Sequence, residues 1–370
     1  MSVHIRELTG ALERAGNEVV VVAPSISESV GRGGEATAFV RRLVPGFASE
    51  LLELAYDRLA FRRLEAAYLQ HEPDVLYERY NLFLMAGRAL HRKYGVPFLL
   101  EVNAPLAEER REHGGLAWRK LAFESERRVW KAADAVLAVS GPLADIVAAA
   151  GVMRERLHVI PNGIDTRAFH PRVDGGPVRR KLGLDDKLVL GFTGFMRPWH
   201  GLDRVVRFLA ARKSRSDLHF LVIGEGPARP DIESLARELG VADRITTLGV
   251  VGRPAVAAHV AAFDIALQPM SVPYASPLKL FEYMALGRAI LAPDQPNIRE
   301  IVGSAACLFD AEANGAFERA LETLCNDAAL RARLGAAAAE TLRKRDFTWD
   351  CNARRIGDIA ADLIARRAAA

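Results

Sequence analysis

Residues 188–201 have the sequence LVLGFTGFMRPWHG, an apolar run that leads into a glycine-bearing turn. The run predicts a buried strand over residues 188–193, and the pattern beyond the turn predicts a helix from about Leu202. Such a connection exposes backbone N–H groups at a helix N-terminus, which favours an anion. Arg197 adds a planar cation that suits phosphate oxygens. The alternative is an ordinary connection that carries a surface arginine.

Around this stretch, short β-branched runs alternate with helical patterns, which is typical of parallel sheets covered by helices. The chain is therefore predicted to be of the α/β class, with two successive doubly wound blocks. Prolines and glycines interrupt both periodicities over residues 160–177, so we place the boundary there. The predicted domains are residues 1–162 and 163–346, and an amphipathic helix within residues 347–370 follows them. Predicted strands cover residues 18–23, 75–77, 97–102, 135–139, 157–160, 188–193, 219–223, 245–248, 265–268 and 289–292.

The first block departs from the pattern at its start. A doubly wound domain that binds a ligand normally opens with a buried strand and a Gly-rich turn. Here a helical pattern begins almost at once, over residues 5–15. The sequence therefore predicts that the first strand and its loop are missing.

Composition excludes several classes of protein. The chain is 50% hydrophobic and 26% charged, which excludes a disordered or fibrous protein. The net charge of +4 comes with no concentrated basic stripe, so we expect no nucleic-acid partner. No apolar run approaches the ~20 residues of a membrane helix. The cysteines Cys307, Cys325 and Cys351 are unclustered, which indicates neither disulfides nor zinc and favours a cytoplasmic location.

A second informative stretch is YASPLKLFEYMALG at residues 274–287. Pro277 suits the first turn of a helix, and Gly287 suits its C-terminal cap. Lys279 and Glu282 are three residues apart, so they project from one face near the N-terminal end of that helix. In an open α/β sheet this end lies beside the carboxyl edge, where ligands bind. A glutamate there can accept two ribose hydroxyls and a lysine can meet phosphates; the alternative is a solvated ion pair.

Two further turns follow predicted strands in the same block. Residues 222–227, VIGEGP, contain a weak GxG signal, and residues 293–300, PDQPNIRE, form a candidate nest of backbone amides. Each signal is modest alone. Four such loops at strand ends within one domain favour a phosphate-bearing ligand.

In order and spacing, these pieces resemble glycosyltransferase family 4, whose members are retaining enzymes of the GT-B fold that use nucleotide sugars. The resemblance implies two Rossmann-like domains facing a cleft, with the C-terminal helix crossing back to the N-terminal domain. It implies a nucleotide-sugar site in the second domain and an acceptor site in the first. The matching pieces are residues 4–23, Pro161–Asp165 with Phe169, Gly194–Arg197, the turn 223–227 and the helix 281–287.

The resemblance also implies individual donor contacts. Glu282 would hold the ribose, and Arg197 would grip the diphosphate and assist catalysis. His200 replaces a family lysine, and Lys279 would supply the charge that a neutral histidine lacks. The first glutamate of the family's E-x7-E signature falls at Tyr274, where this sequence departs from the pattern. The donor set implied is Gly194, Arg197, His200, Gly224, Val250, Ser276, Pro277, Leu278, Lys279 and Glu282.

In the first domain, Asn103 falls where many family members carry a histidine near the reacting sugar, and it is the second predicted catalytic residue. Asparagine donates and accepts hydrogen bonds but cannot act as a general base. The alternative for Asn103 is a turn residue at a strand end. His4 resembles a family histidine on the first helix and is assigned to the acceptor side. Glu101 and His113 are interpreted as surface residues.

The sequence contains no HExxH, DxD or two-His cluster, so we expect no metal and no other cofactor. The predicted function is transfer of a sugar from a UDP- or GDP-sugar to a polysaccharide, lipid-linked or small acceptor. Two alternatives stay open, a nucleotide-sugar 2-epimerase and an inactive nucleotide-sugar-binding homologue. Leucines and arginines of residues 50–70 could also lie on anionic lipid at the inner face of the membrane. A packed surface helix explains residues 50–70 equally well.

Overall fold

The computed structural model describes residues 3–23, 46–113 and 115–369. Its contacts divide the chain into two compact units. Unit 1 comprises Met1–Pro161 and Trp349–Ala370, and unit 2 comprises Asn162–Thr348. Each unit is built on a parallel sheet with helices between the strands. The predicted α/β class with two parallel-sheet blocks is therefore confirmed.

In unit 1, four strands pair in chain order and all run parallel. The two inner strands are fully buried because they are almost wholly apolar. The strands are β1 (Leu76–Arg79), β2 (Phe98–Val102), β3 (Ala135–Ala138) and β4 (Leu157–Val159). The helices are α1 (Val3–Arg14), α2 (Gly46–His71), α3 (Ala86–Tyr94), α4 (Leu106–His113), α5 (Arg119–Ala132) and α6 (Gly141–Ala149).

The predicted strand over residues 18–23 is wrong. This segment follows α1 without joining a ladder, and Val20, Val21 and Val22 are 42%, 50% and 40% exposed. β-branched residues favour a strand only where a neighbouring strand and a packed face are available. Among the described residues, β1 pairs with β2 alone, and the described part of unit 1 contains no strand before β1.

The last helix, α15 (Trp349–Ala368), belongs to unit 1. The ring of Trp349 meets that of His4 on α1 edge-on, with centroids 5.0 Å apart. The Asn352 side chain donates to the Pro161 carbonyl at 2.7 Å. Arg14 donates through Nε to Asp350 at 3.0 Å. The end of the chain therefore returns to the N-terminal unit, as the resemblance implied.

Unit 2 contains a six-stranded parallel sheet in the order β10-β9-β8-β5-β6-β7. From β5 the chain runs through β6 to β7 at one edge of the sheet. It then returns to the other side of β5 and continues through β8 and β9 to β10, so the strand order reverses between β5 and β8. Such a switch point leaves a crevice at the carboxyl ends of the strands. The strands are β5 (Leu188–Thr193), β6 (Leu218–Ile223), β7 (Ile245–Thr247), β8 (Ile265–Leu267), β9 (Ala289–Pro293) and β10 (Cys307–Phe309). The helices are α7 (Gly176–Leu182), α8 (Leu202–Ala210), α9 (Arg229–Glu238), α10 (Arg253–Ala261), α11 (Leu278–Ala285), α12 (Pro296–Val302), α13 (Ala316–Asn326) and α14 (Ala328–Lys344).

Alternation along β5 fills both faces of the unit 2 sheet. Val189 packs into one core, whereas Leu190 and Phe192 pack into the other. A side chain at Gly191 would collide with the ring of Phe263, because a Cβ there would lie 2.0 Å from that ring. The absence of a side chain at Gly191 therefore leaves space for the Phe263 ring. Burial of a side chain of this kind stabilises the fold by about 1.5–3 kcal/mol.

Candidate functional site

Two glycine turns stand back to back at the carboxyl ends of β5 and β6. Gly194 and Gly224 both have a φ of +132°, which favours glycine. A Cβ on Gly224 would lie 2.0 Å from the Gly194 carbonyl oxygen. The Gly194 N–H donates to the Ile223 carbonyl at 2.9 Å. The weak GxG signal therefore marks a position where two turns pack backbone against backbone.

Arg197 lies on the turn after β5 and is exposed. Its guanidinium stacks over the rings of Phe195 and Trp199, at 4.7 and 5.0 Å from their centroids. Its backbone N–H donates to Nδ1 of His200 at 3.2 Å. Burial, together with the positive charges of Lys279 and Arg197, lowers the pKa of His200 to about 3. His200 is therefore neutral at pH 7, and the permanent charge of this turn belongs to Arg197.

Lys279, in the first turn of α11, reaches the same place. Its ammonium lies 3.9 Å from the centroid of the Phe192 ring on β5. A Cβ on Gly194 would lie 3.3 Å from Lys279 Cε, so this side chain runs directly beside the turn. Burial lowers the pKa of Lys279 to about 7, although the charge of Glu282 opposes this. A half-charged ammonium next to a glycine turn is suited to an arriving anion.

Glu282 is 8% exposed on the same helix, one turn beyond Lys279. Its Oε1 accepts from Nη1 of Arg253 at 2.6 Å, and the Arg253 guanidinium lies over the ring of Phe169. Burial raises the pKa of Glu282, while the charge and hydrogen bond of Arg253 oppose the rise. The alternative of a solvated Lys279–Glu282 pair is wrong, because Glu282 is buried and its carboxylate pairs with Arg253.

Sequence reasoning missed Arg253. It begins α10 just after the loop that follows β7. A guanidinium at a helix N-terminus opposes the helix dipole, so its presence there indicates a carboxylate partner. That signal was available in the sequence Gly252-Arg253-Pro254, but the identity of the partner was not.

The segment before α11 is held by side-chain amides. Asn162 donates through Nδ2 to the Ser276 carbonyl at 2.6 Å, and its backbone N–H donates to Ser276 Oγ. Pro277 lies at the N-cap position with extended backbone, just before the first turn in which it was predicted, and Gly287 follows the helix with a φ of +63°. Four carbonyls within residues 270–275, the loop that includes Tyr274, accept from the side chains of Gln268, Gln295 and Asn297. These side chains therefore hold the loop in position through its backbone carbonyl groups.

The structure brings most of the predicted donor set to one edge of the unit 2 sheet. Lys279 runs beside Gly194, the charges of Lys279 and Arg197 both act on His200, and Gly224 backs onto Gly194. Ser276, Pro277 and Leu278 lead into the helix that carries Lys279 and Glu282, and Val250 follows β7 with 80% exposure. Their role in binding a donor stays a prediction.

In unit 1, the interpretation of Glu101 as a surface residue is wrong. It ends β2 and is 4% exposed, because α1 covers it. Its Oε2 accepts from His4 Nε2 at 2.9 Å and from the Tyr77 hydroxyl, and its Oε1 accepts from Asn103 Nδ2 at 2.5 Å. Thus the two predicted residues of this unit, His4 and Asn103, meet on a carboxylate that the sequence pattern did not single out. The side chain of His113 lies outside the described residues.

Other features of the described residues contribute less to the candidate site. Within residues 3–23, 46–113 and 115–369, no group of three or more His, Cys, Asp and Glu side chains could hold a metal. In the same ranges, no helix is both long and apolar enough to span a membrane. Leu51, Leu59 and Leu69 on α2 are exposed. Contact of this helix with anionic lipid and a cytoplasmic location stay predictions.

Comparison with known proteins identifies the class of enzyme. The family model described as Glycosyltransferase Family 4 matches residues 1–168, and the model described as Glycosyl transferases group 1 matches residues 187–327. The chain is a glycosyltransferase that resembles family 4. It is therefore a transferase, and its two parallel-sheet units are those of the GT-B fold.

Relatives of this glycosyltransferase span nearly its whole length. A D-inositol 3-phosphate glycosyltransferase of Thermomonospora curvata is 28% identical over 97% of this chain and 89% of the relative. A GDP-mannose-dependent alpha-mannosyltransferase of Mycolicibacterium smegmatis is 26% identical over 92% of this chain and 88% of the relative. Among solved structures, Anabaena Alr3699/HepE in complex with UDP has a TM-score of 0.70 at 19% identity, with 81% of each chain covered. WaaG, a glycosyltransferase involved in lipopolysaccharide biosynthesis, has a TM-score of 0.64 at 18% identity, also with 81% of each chain covered.

Proposed function

We propose that this glycosyltransferase transfers a sugar, with retention, from a UDP- or GDP-sugar bound in unit 2 to a hydroxyl of a polysaccharide, lipid-linked or small acceptor. The observation that carries the proposal is the convergence of Arg197, Lys279 and the Gly194 turn at the carboxyl end of β5, the switch point of the sheet. Glu282 stands one helical turn away. A diphosphate and the pentose next to it need such a combination of cations and a carboxylate.

In this proposal, the work of unit 2 is to stabilise the leaving diphosphate. The acceptor oxygen forms a bond to the anomeric carbon, the bond from that carbon to the diphosphate breaks with its electron pair, and the acceptor proton passes to a diphosphate oxygen. Negative charge then grows on the diphosphate beside Arg197 and Lys279, where fixed cations stabilise it most. His200 stays neutral, so it contributes a hydrogen bond instead of a charge.

A bound donor would change the charge of Lys279 more than that of Arg197. Burial holds the pKa of its ammonium near 7, so the protein without donor keeps only part of this charge at neutral pH. A bound diphosphate raises the pKa again and fixes the proton on Nζ. Glu282 would accept the ribose hydroxyls, and Arg253 would keep its carboxylate ionised and oriented.

These cations also support the proposal that no metal or other cofactor is required. Arg197 and Lys279 supply the positive charge that a divalent ion supplies elsewhere. We expect transfer to continue in excess EDTA and not to rise when Mg²⁺ or Mn²⁺ is added. Loss of transfer in EDTA that returns with a divalent ion would contradict this part of the proposal.

The test of the function is a donor panel. UDP-glucose, UDP-N-acetylglucosamine and GDP-mannose are titrated by calorimetry, since relatives and similar structures are named for UDP, UDP-glucose or GDP-mannose. The donor that binds is then incubated with D-inositol 3-phosphate, named by a relative, and with methyl α-D-mannoside. We expect a product whose anomeric proton, observed by NMR, has the configuration of the donor. Inverted product would contradict retention, and a 2-epimer formed without acceptor would contradict transfer.

Tyr274 favours a second candidate, a homologue that binds nucleotide sugars without transferring them. It stands where the family signature carries its first glutamate, within the loop that Gln268 and Asn297 hold. Donor binding without either transfer or hydrolysis of any donor in the panel would support this candidate.

A further inference from the structure

The carboxylate of Glu101 is surrounded by hydrogen-bond donors at the end of β2. Both of its oxygens are engaged: Oε2 by His4 and Tyr77, and Oε1 by Asn103. The guanidinium of Arg79 lies 3.6 Å from Oε1. Burial alone would raise the pKa of this carboxyl, but the hydrogen bond and charge of His4, with Arg79 and Tyr77, lower it to about 2. Glu101 is therefore ionised across the physiological range.

An ionised carboxylate can only accept hydrogen bonds. The group that Asn103 turns toward Glu101 must therefore be its amide NH2, whichever way the amide would otherwise rotate. The amide is planar, so its Oδ1 points away from Glu101. Asn103 is only half-buried, at the carboxyl edge of the unit 1 sheet, which is where ligands of such sheets bind.

We propose that Glu101 is a positioning residue, which holds the amide of Asn103 with Nδ2 inward so that Oδ1 accepts a hydrogen bond from the hydroxyl of the acceptor substrate. The inference rests on the proposed function, because it concerns the group that the transferred sugar meets. Asn103 takes no proton in this role. It aligns the hydroxyl oxygen, and the arrangement selects hydroxyl acceptors over groups that cannot donate.

An exchange of the two side chains tests the pairing. Glu101→Gln introduces an amide that can turn either its oxygen or its NH2 toward Asn103, so the orientation is lost. Asn103→Asp places two carboxylates together. When both substitutions are combined, the introduced amide keeps its oxygen toward His4 and Tyr77 and donates its NH2 to the introduced carboxylate, whose other oxygen again faces outward. The pair is restored with donor and acceptor exchanged.

We expect each single variant to lower kcat/KM for the fastest acceptor of the panel by about tenfold or more, and the double variant to return to within about threefold of wild type. Donor affinity measured by calorimetry should stay unchanged in all three. The matched control is Glu126→Gln, at another buried glutamate of unit 1, which accepts from the Tyr80 hydroxyl and the Ala107 N–H. That variant should lower the unfolding temperature and leave the acceptor kinetics as they are.

The outcomes separate the two claims. A double variant that is folded, binds the donor and is no more active than the single variants overturns the positioning role while the proposed function stands. An acceptor kcat/KM that falls only in proportion to the folded fraction overturns it as well. If the wild type binds none of the nucleotide sugars, the proposed function fails and the inference fails with it.

Discussion

Each unit draws a charged side chain out of water near the carboxyl edge of its sheet, Glu101 in unit 1 and Lys279 in unit 2, but the surroundings differ. Glu101 has hydrogen-bond donors on both oxygens, and its pKa falls to about 2. Lys279 faces the ring of Phe192 with only the charge of Glu282 in its favour, and its pKa falls to about 7. Removal from water disfavours the charged form of both groups, so it does not explain the difference. The comparison indicates that the protein itself compensates one charge fully and the other only in part, which fits the proposed diphosphate site at Lys279.

The largest expected effect is a loss of stability when Glu101, whose charge the protein itself compensates, is removed. Glu101→Ala leaves His4, Arg79 and Tyr77 facing an empty position, and removing one partner of a buried charged pair costs about 3–5 kcal/mol. We expect a corresponding loss in the free energy of unfolding measured with urea. The contribution is complete above the ordinary carboxyl pKa of 4.5 and is lost as the pH falls toward 2. A loss below about 1 kcal/mol at pH 7 would remove the basis of the comparison.

The next largest effect is a loss of turnover when Arg197, the exposed cation of the unit 2 site, is removed. Arg197→Ala removes a charge that meets the growing charge of the diphosphate, so kcat should fall by about 10²–10³-fold, with weaker donor binding as well. The matched control is Arg207→Ala on α8, where the arginine is exposed and pairs with Asp203. A loss confined to KM would mean that Arg197 holds the donor only in its ground state.

A smaller effect is expected at the carboxylate of unit 2. Glu282→Ala should weaken donor binding by about 1.5–3 kcal/mol if it accepts ribose hydroxyls as a charged group. Calorimetry with the nucleotide sugar and with the free diphosphate separates the contributions, because the free diphosphate lacks ribose and should be affected less. Glu238→Ala, an exposed residue on α9, serves as the control. Equal losses for both ligands would assign Glu282 to the support of Lys279 instead.

The smallest effect is a pH dependence of donor affinity. Below pH 7 the Lys279 ammonium is already charged, whereas above it the free protein must take up a proton to bind the diphosphate. Affinity should therefore fall by up to about tenfold for each pH unit above 7. Lys279→Met should flatten this slope. A slope that persists in the methionine variant would place the titrating group elsewhere.

Sequence pattern was sufficient where a periodicity carried the information. The apolar run at residues 188–193 and the 274–287 stretch predicted β5 and α11, and with them the neighbourhood of Arg197 and Lys279. Sequence pattern was insufficient where a contact with a residue distant in the sequence determines burial or pairing. The burial of Glu101 depends on His4, 97 positions away in the sequence, and the pairing of Glu282 depends on Arg253.

Local propensity failed in both directions at short segments. Residues 18–23 are rich in valine but join no ladder, whereas Cys307–Phe309 forms β10, a strand that the sequence pattern does not predict. Three residues are too few to display a period. In each case the presence or absence of a strand to pair with outweighed the intrinsic preference.

The return of α15 to unit 1 has a consequence for how the chain matures on the ribosome. Unit 2 is one continuous segment, Asn162–Thr348, whereas unit 1 needs Trp349–Ala370 to cover α1 and the Glu101 region. Since domains fold as units while synthesis proceeds from the N-terminus, unit 2 can complete its fold first. Unit 1 precedes unit 2 in the chain for most of its length, yet it is completed only by a segment that is translated after unit 2.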